Sequence, residues 1–154
     1  VERTREEARL TAEARRHGIP TPVVLDVNPW ETQLVFEYVG DADLRERLRE
    51  STVRDVGRQL ATIHGAGFVH GDPTTRNVRV SDDGRTYLID FGLGYYTDDL
   101  EDHAMDLHVF AQSLVGTADD PEPLLSAARD AYASAGDDRV LDHLREIEGR
   151  GRYQ

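Results

Sequence analysis

Apolar residues recur along the chain with two periods, and the changes of period divide it into elements. Good helix formers run from 2 to 17, where Gly18, Pro20 and Pro22 stop them. Glu7, Leu10, Thr11 and Ala14 stand at i, i+3, i+4 and i+7 and share one face. Glu7 there is either an inward carboxylate in need of a partner or a solvated residue at the face's border. β-rich runs over 23–27 and 34–39 flank the loop 28–32, and Gly40 and Asp41 break the second run. Leu44 and Leu48 predict a short charged helix over 41–50. Thr52 then stands as the cap of the next helix, with Asp55 at its N3 position. Val53, Val56, Leu60 and Ile63 form its buried stripe, and Gly65 and Gly67 end it.

Residues 69–77 show no period. Strands over 78–80 and 86–89 flank Asp83-Gly84, a two-residue hairpin signal. With that tip, opposed residue numbers sum to 167, so 80 faces 87, 78 faces 89 and Asn77 faces Asp90. The helix over 102–115 is apolar most of the way round (Ala104, Met105, Leu107, Val109, Phe110, Ala111, Leu114, Val115), which predicts a buried helix. Asp106 within it either accepts buried hydrogen bonds or marks the one wet edge. Amphipathic helices follow near 121–134 and 138–148. The organisation is α+β: a helix and two strands, then a mostly helical body holding one hairpin.

The chain has 154 residues with 30 acidic and 18 basic side chains, a net charge of −12. That length suits a single domain. No apolar run approaches the ~18 residues that span a bilayer. An acidic surface repels a phosphate backbone, so the balance excludes a lone nucleic-acid binder. The chain has no cysteine, hence no disulfide framework and no thiolate zinc site, in keeping with a reducing cytoplasm. All 18 basic residues are Arg, with no Lys at all. Arg without Lys beside a surplus of Asp fits a salt-saturated cytoplasm, where the Debye length is ~3 Å or less; drift in a GC-rich genome is the alternative. His17, His64, His103, His108 and His143 show no metal spacing and read as solvent or cap positions.

Cross-strand neighbours hold their Cβ atoms about 4.5–5.5 Å apart, which would set Asn77 and Asp90 abreast. An amide oxygen beside a carboxylate suits a hard cation such as Mg²⁺. Asp72 lies five residues before Asn77. His70-Gly71-Asp72, Asn77 and Asp90-Phe91-Gly92 follow the order of a kinase catalytic loop, a hairpin and a metal-binding triplet. The bland reading is a turn rich in Asp and Asn. Residues 35–40, Val-Phe-Glu-Tyr-Val-Gly, look like a kinase hinge or, equally, an ordinary edge strand.

The stretches Arg3-Thr4-x-x-Glu7-Ala8-Arg9, 18–22 (Gly-Ile-Pro-Thr-Pro), His70-Gly71-Asp72-x-Thr74-Thr75-x-Asn77, 89–94 (Ile-Asp-Phe-Gly-Leu-Gly), Glu101-Asp102-x-Ala104-x-Asp106-Leu107 and Arg150-Gly151-Arg152 together resemble one family over essentially the whole chain. It is the small atypical kinase/ATPase subunit of the KEOPS complex, the PRPK-like kinases. The resemblance implies a protein-kinase-like fold, with a partial N-lobe over 1–40 and a helical C-lobe over 41–154. It implies ATP and Mg²⁺ as cofactors, and a serine/threonine kinase or ATPase activity that supports N6-threonylcarbamoyladenosine formation in tRNA. Its implied partners are the threonylcarbamoyltransferase subunit, often fused to the kinase in archaea, and small accessory subunits. Carried over, Asp72 is the catalytic or orienting carboxylate, and Asn77 and Asp90 are metal ligands. Glu7 pairs with a phosphate-gripping Lys, Asp106 holds the catalytic loop, and Glu37 and Val39 hold adenine. Arg150 and Arg152 reach toward tRNA or the active site. Pro73 stands where the family has Leu, and Arg76 where it has Ser. The Gly-rich loop and the Lys lie upstream of Val1 in the family, so the chain reads as N-terminally truncated. Two other readings are a non-catalytic scaffold subunit and a small-molecule phosphotransferase of the aminoglycoside/choline type, whose long helical insertion does not fit in 154 residues.

Overall fold

The computed structural model describes residues 1–151; Arg152 lies outside the described residues. Helix α1 (Glu2–Arg16) buries Thr4, Leu10, Thr11 and Ala14 and leaves Glu7 half-buried on the same side. Gly18 closes it in the left-handed region (φ 82°). Its N–H bonds to the Arg15 carbonyl at 3.0 Å, and that of Ile19 bonds to Ala14 at 3.1 Å. This is the Schellman closure that a Cβ at residue 18 would strain.

Strands β1 (Val24–Asn28) and β2 (Gln33–Phe36) pair antiparallel, with a bulge between Val24 and Asp26. The second strand stops at Phe36 rather than 39. Glu37 donates its N–H to the Val23 carbonyl and accepts the Val23 N–H on its carboxylate. The chain then turns toward Arg79, whose Nε donates to the Val39 carbonyl at 3.1 Å. Gly40 (φ 74°) lies so near Arg79 and Val80 that a Cβ would meet them at 2.8–3.0 Å.

The helix predicted over 41–50 is absent. Strand β3 (Ala42–Asp43) and a 3-10 turn (Leu44–Glu46) stand there instead. Ala42 pairs with Val80, and the Asp43 carboxylate accepts the Arg45 N–H at 3.0 Å, local bonds that compete with a helix. Helix α2 (Glu50–Gly65) starts two residues ahead of Thr52. Thr52 occupies the N3 position, where its hydroxyl accepts the Arg49 N–H at 3.2 Å, so it braces the end without being its cap.

Short strand β4 (Phe68–Val69) pairs with β7 (Tyr95–Tyr96), and β5 (Val78–Val80) lies between β3 and β6 (Thr86–Leu88). The β5–β6 register is one residue off the expected one: Val78 faces Leu88 and Val80 faces Thr86. The loop has three residues, Asp82-Asp83-Gly84, closed by Ser81 N–H on Arg85 O and Gly84 N–H on Ser81 O, with Gly84 at φ 85°. The third loop position needs the left-handed region, and glycine supplies it there. Asn77 therefore opposes Ile89, whose N–H bonds to its carbonyl at 3.0 Å; Asp90 lies beyond the ladder at φ 60°.

Helices α3 (Leu100–Thr117), α4 (Glu122–Ala135) and α5 (Asp138–Gly151) complete the body, with α2 along α4 and α3 against α5. The core joins Leu10 of α1, the α2 stripe, Phe68, Phe91, Phe110, Leu114 and Tyr132. Helix α3 is not buried all round: Met105 and Val115 are 44% and 48% exposed. Among the described residues no helix is long and apolar enough to cross a membrane.

Helices α2 and α4 touch at Gly57, where a Cβ would sit 2.7 Å from the Ala128 carbonyl. Helix propensity alone would make Gly57→Ala stabilising by about 1 kcal/mol. The contact reverses the sign, and chemical denaturation of that variant should show a loss of about 1–3 kcal/mol.

Candidate active site

The site is assembled on one buried carboxylate. Asp106 lies nearly two turns into α3, 4% exposed. Its Oδ2 accepts the His70 N–H at 3.0 Å, and its Oδ1 accepts the Gly71 N–H at 2.9 Å. The wet-edge alternative for Asp106 is thereby excluded. Burial alone would raise this acid, but hydrogen bonds from His64 and the Gly71 N–H hold it below the usual carboxylate range.

His64 is the third donor and was missed by sequence reasoning. Far from a solvent or cap position, it is 5% exposed at the end of α2. Its Nε2 meets Asp106 at 2.7 Å and its Nδ1 meets the Tyr132 hydroxyl at 2.6 Å. Desolvation pushes this imidazole below its ordinary value. The consistent assignment is a neutral ring that donates from Nε2 to Asp106 and accepts at Nδ1 from Tyr132. His103, also buried, stacks on it with centroids 4.6 Å apart and bonds to the Thr97 carbonyl. The available signal was the spacing: His64 falls one residue after Ile63 on the α2 stripe.

The loop beyond Asp106 is locked in turn. His70 bonds through Nε2 to the Ile89 carbonyl at 2.7 Å and through Nδ1 to the Asp72 N–H at 3.1 Å, and its ring packs on Phe91. Gly71 (φ 92°) crosses the Leu93 carbonyl so closely that a Cβ would come within 2.2 Å of it. That crossing is the physical reason for Gly between His70 and Asp72. Asp72 and Asn77 do meet: the Asn77 amide donates to the Asp72 carbonyl at 2.9 Å and to its carboxylate at 3.2 Å. Pro73 between them is buried, and Asp72 itself is half-exposed.

Asp90 is exposed, and its carboxylate accepts the Gly92 N–H at 3.2 Å. Gly92 lies between this carboxylate and that of Glu7; a Cβ there would stand 3.1 and 3.0 Å from their oxygens. Burial, then the negative charge of Asp90, push Glu7 above its ordinary value, and Arg3 offsets this in part. Arg3 itself bonds to the Gly94 carbonyl. Glu7 thus sits half-buried at the border of the buried face, with no basic side chain within ion-pair distance among the described residues.

Glu7, Phe36, Glu37, Tyr38, Val39, Arg79, Ile89 and Asp90 together line a cleft of about 470 Å³. The structure thus brings Glu7, Glu37, Val39 and Asp90 to one cavity and places Asp72 and Asn77 on the loop that leads from it. A larger groove of about 850 Å³ opens on the far side of Asp72, along Thr74, Arg76, Ser113 and Thr117. Arg150 does not reach the cleft; its guanidinium pairs with Glu101 at 2.7 Å.

Comparison with known proteins adds the family context. The sequence model of the lipopolysaccharide kinase (Kdo/WaaP) family matches residues 23–118. A probable bifunctional tRNA threonylcarbamoyladenosine biosynthesis protein of Natronomonas pharaonis is 70% identical over 153 residues, 99% of this chain and 28% of its own length. The protein of the same name from Haloarcula marismortui is 69% identical over 160 residues, covering 100% of this chain and 29% of its own. A probable serine/threonine-protein kinase of Archaeoglobus fulgidus, named as a BUD32 homolog, is 38% identical over 154 residues, 99% of this chain and 77% of its own. The chain spans less than a third of the two bifunctional relatives.

The Tyr132–His64–Asp106 chain sets a two-step response to acid. Both folded-state values lie below the unfolded ones, so each group contributes stability above its unfolded value and loses it as pH falls. His64 is lost first, below the ordinary imidazole value of 6.5, and Asp106 below the ordinary 3.8. Chemical denaturation against pH should show both steps; His64→Gln should remove the first. Asp106→Asn should cost about 3–5 kcal/mol at neutral pH.

Proposed function

The chain belongs to the kinase-like family that includes the Kdo/WaaP kinases and the archaeal BUD32-type kinase, and from that membership we propose that it transfers or hydrolyses the terminal phosphoryl group of ATP with Mg²⁺. The observation that carries this reading is the Asp72–Asn77 contact at 3.2 Å on a loop pinned by Asp106, next to a cleft with Asp90 on its wall. Residues 1–40 belong to one lobe in this reading, and residues from 41 onward to the other. The activity serves tRNA N6-threonylcarbamoyladenosine formation in the cytoplasm, alongside a threonylcarbamoyltransferase and small KEOPS subunits.

The residues present fit the cofactors. Asn77 spends its amide N–H groups on Asp72, which leaves its oxygen free of partners among the described residues. Asp90 is exposed, and its charge raises Glu7, so the site carries negative charge that a cation would neutralise. Mg²⁺ on Asn77 and Asp90 would neutralise charge developing on the phosphates. The chain's own groups do the rest. Glu37 C=O and Val39 N–H, without partners among the described residues, supply an acceptor and a donor for a nucleobase edge. Phe36 gives that edge an apolar wall. Asp72 orients an attacking hydroxyl and accepts its proton, while the His70 ring fixes the Asp72 backbone. Catalysis is then mostly positioning and charge compensation.

Glu7, with no ion-pair partner among the described residues, favours a second reading: a scaffold subunit whose catalytic residues are vestigial. Tail contact with tRNA would fall to Arg152 and, after release from Glu101, to Arg150.

Asp72→Asn should lower Mg²⁺-dependent ATP turnover by roughly a hundredfold or more. Asp90→Asn should raise the Mg²⁺ requirement roughly tenfold. Steady-state kinetics check both. Wild-type turnover that neither change affects would sink the enzymatic reading, and tRNA modification that survives Asp72→Ala would support the scaffold.

A further inference from the structure

Helix α3 grips the catalytic loop a second time. Seven residues beyond Asp106, and so on the same side of the helix, the Ser113 hydroxyl accepts the Thr75 N–H at 2.8 Å and donates to the Thr75 hydroxyl at 3.1 Å. The Thr75 hydroxyl also lies 3.2 Å from that of Thr117, which donates to the Ser113 carbonyl at 2.7 Å. Thr75 is 2% exposed and opens the 3-10 turn that ends at Asn77.

The two grips fix both ends of the segment from Gly71 to Thr75 on one helix. Seven residues of α-helix advance about 10.5 Å. Four residues of chain, from Gly71 to Thr75, reach at most about 14 Å. Asp72 rides between these two anchors, in a turn closed by the Thr74 N–H on its carbonyl at 2.8 Å, and Asn77 follows two residues after the second anchor. The spacing of Asp106 and Ser113 on one helix therefore gauges the distance between the two ends of the loop.

We propose that Ser113 is a positioning residue: by holding Thr75 it sets the Asn77 side chain relative to Asp72, and through it the metal-facing edge of the phosphoryl-transfer site. This rests on the function proposed above. Ser113 is half-buried on the wall of the groove beside Asp72. Groove water can meet the Thr75 N–H once the hydroxyl is gone, so its loss moves the loop more than it unfolds the protein.

The test compares Ser113→Ala with Ser113→Thr, which keeps the hydroxyl, by NMR amide exchange and by Mg²⁺ titration of ATP turnover in the same chain. In Ser113→Ala, Thr75 N–H should exchange about fivefold faster, the Asn77 side-chain NH₂ signals should shift, and the half-saturating Mg²⁺ should rise roughly tenfold. The denaturation midpoint should stay near that of the wild type, and Ser113→Thr should restore all three signals. An unchanged Mg²⁺ requirement, or a change that threonine does not rescue, overturns the proposal. If the wild-type chain shows no Mg²⁺-dependent turnover, the proposed function falls. The anchor is then decided by the NMR signals alone, and unmoved Asn77 resonances in Ser113→Ala overturn it.

Discussion

A carboxylate buried as deeply as that of Asp106 persists as an anion only when its lone pairs are met by donors. Here the donors are the backbone N–H groups of His70 and Gly71 and the ring of His64. Two of the three are main-chain groups of the loop that carries Asp72, so satisfying the charge and shaping the loop are one event. The third ties that event to α2, and through Tyr132 to α4. A polar chain thus crosses the apolar core and joins three helices to the one irregular segment that bears the chemistry.

The loop that results is short on freedom. Gly71 threads past the Leu93 carbonyl, His70 reaches across to Ile89, and Pro73 fixes its own φ. What remains adjustable lies on the other side of the cleft. There Asp90, in the left-handed region, and Glu7, on a separate helix, face each other as like charges. A site arranged this way is rigid where a hydroxyl must be oriented and electrostatically unsatisfied where a cation would bind.

The surface follows different rules. Arg45 on Asp43 and Arg139 on Asp137 form exposed pairs in which one guanidinium meets both carboxylate oxygens. In concentrated salt, charges separated by more than ~3 Å no longer feel one another. A planar guanidinium meets both carboxylate oxygens at once, a geometry that a point-like ammonium lacks. Such pairs contribute little stability individually.

By itself the sequence determined every long element. Periodicity is local, and the α1, α2, α4 and α5 patterns specify their helices without help from distant residues. It also determined the order His70-Gly71-Asp72, Asn77, Asp90-Phe91-Gly92 and the presence of Asp106 among apolar neighbours. Tertiary structure decided the rest. The hairpin register slipped by one because Gly84 took the left-handed position of a three-residue loop, so Asn77 opposes Ile89 rather than Asp90, and its side chain bonds to Asp72 instead. The expected helix over 41–50 gave way to pairing with Val80, a partner far along the chain. His64 became an interior group, and Glu7 a half-buried one at the cleft, because of the elements that packed around them; a period of 3.6 says which face a residue is on but not what that face will meet.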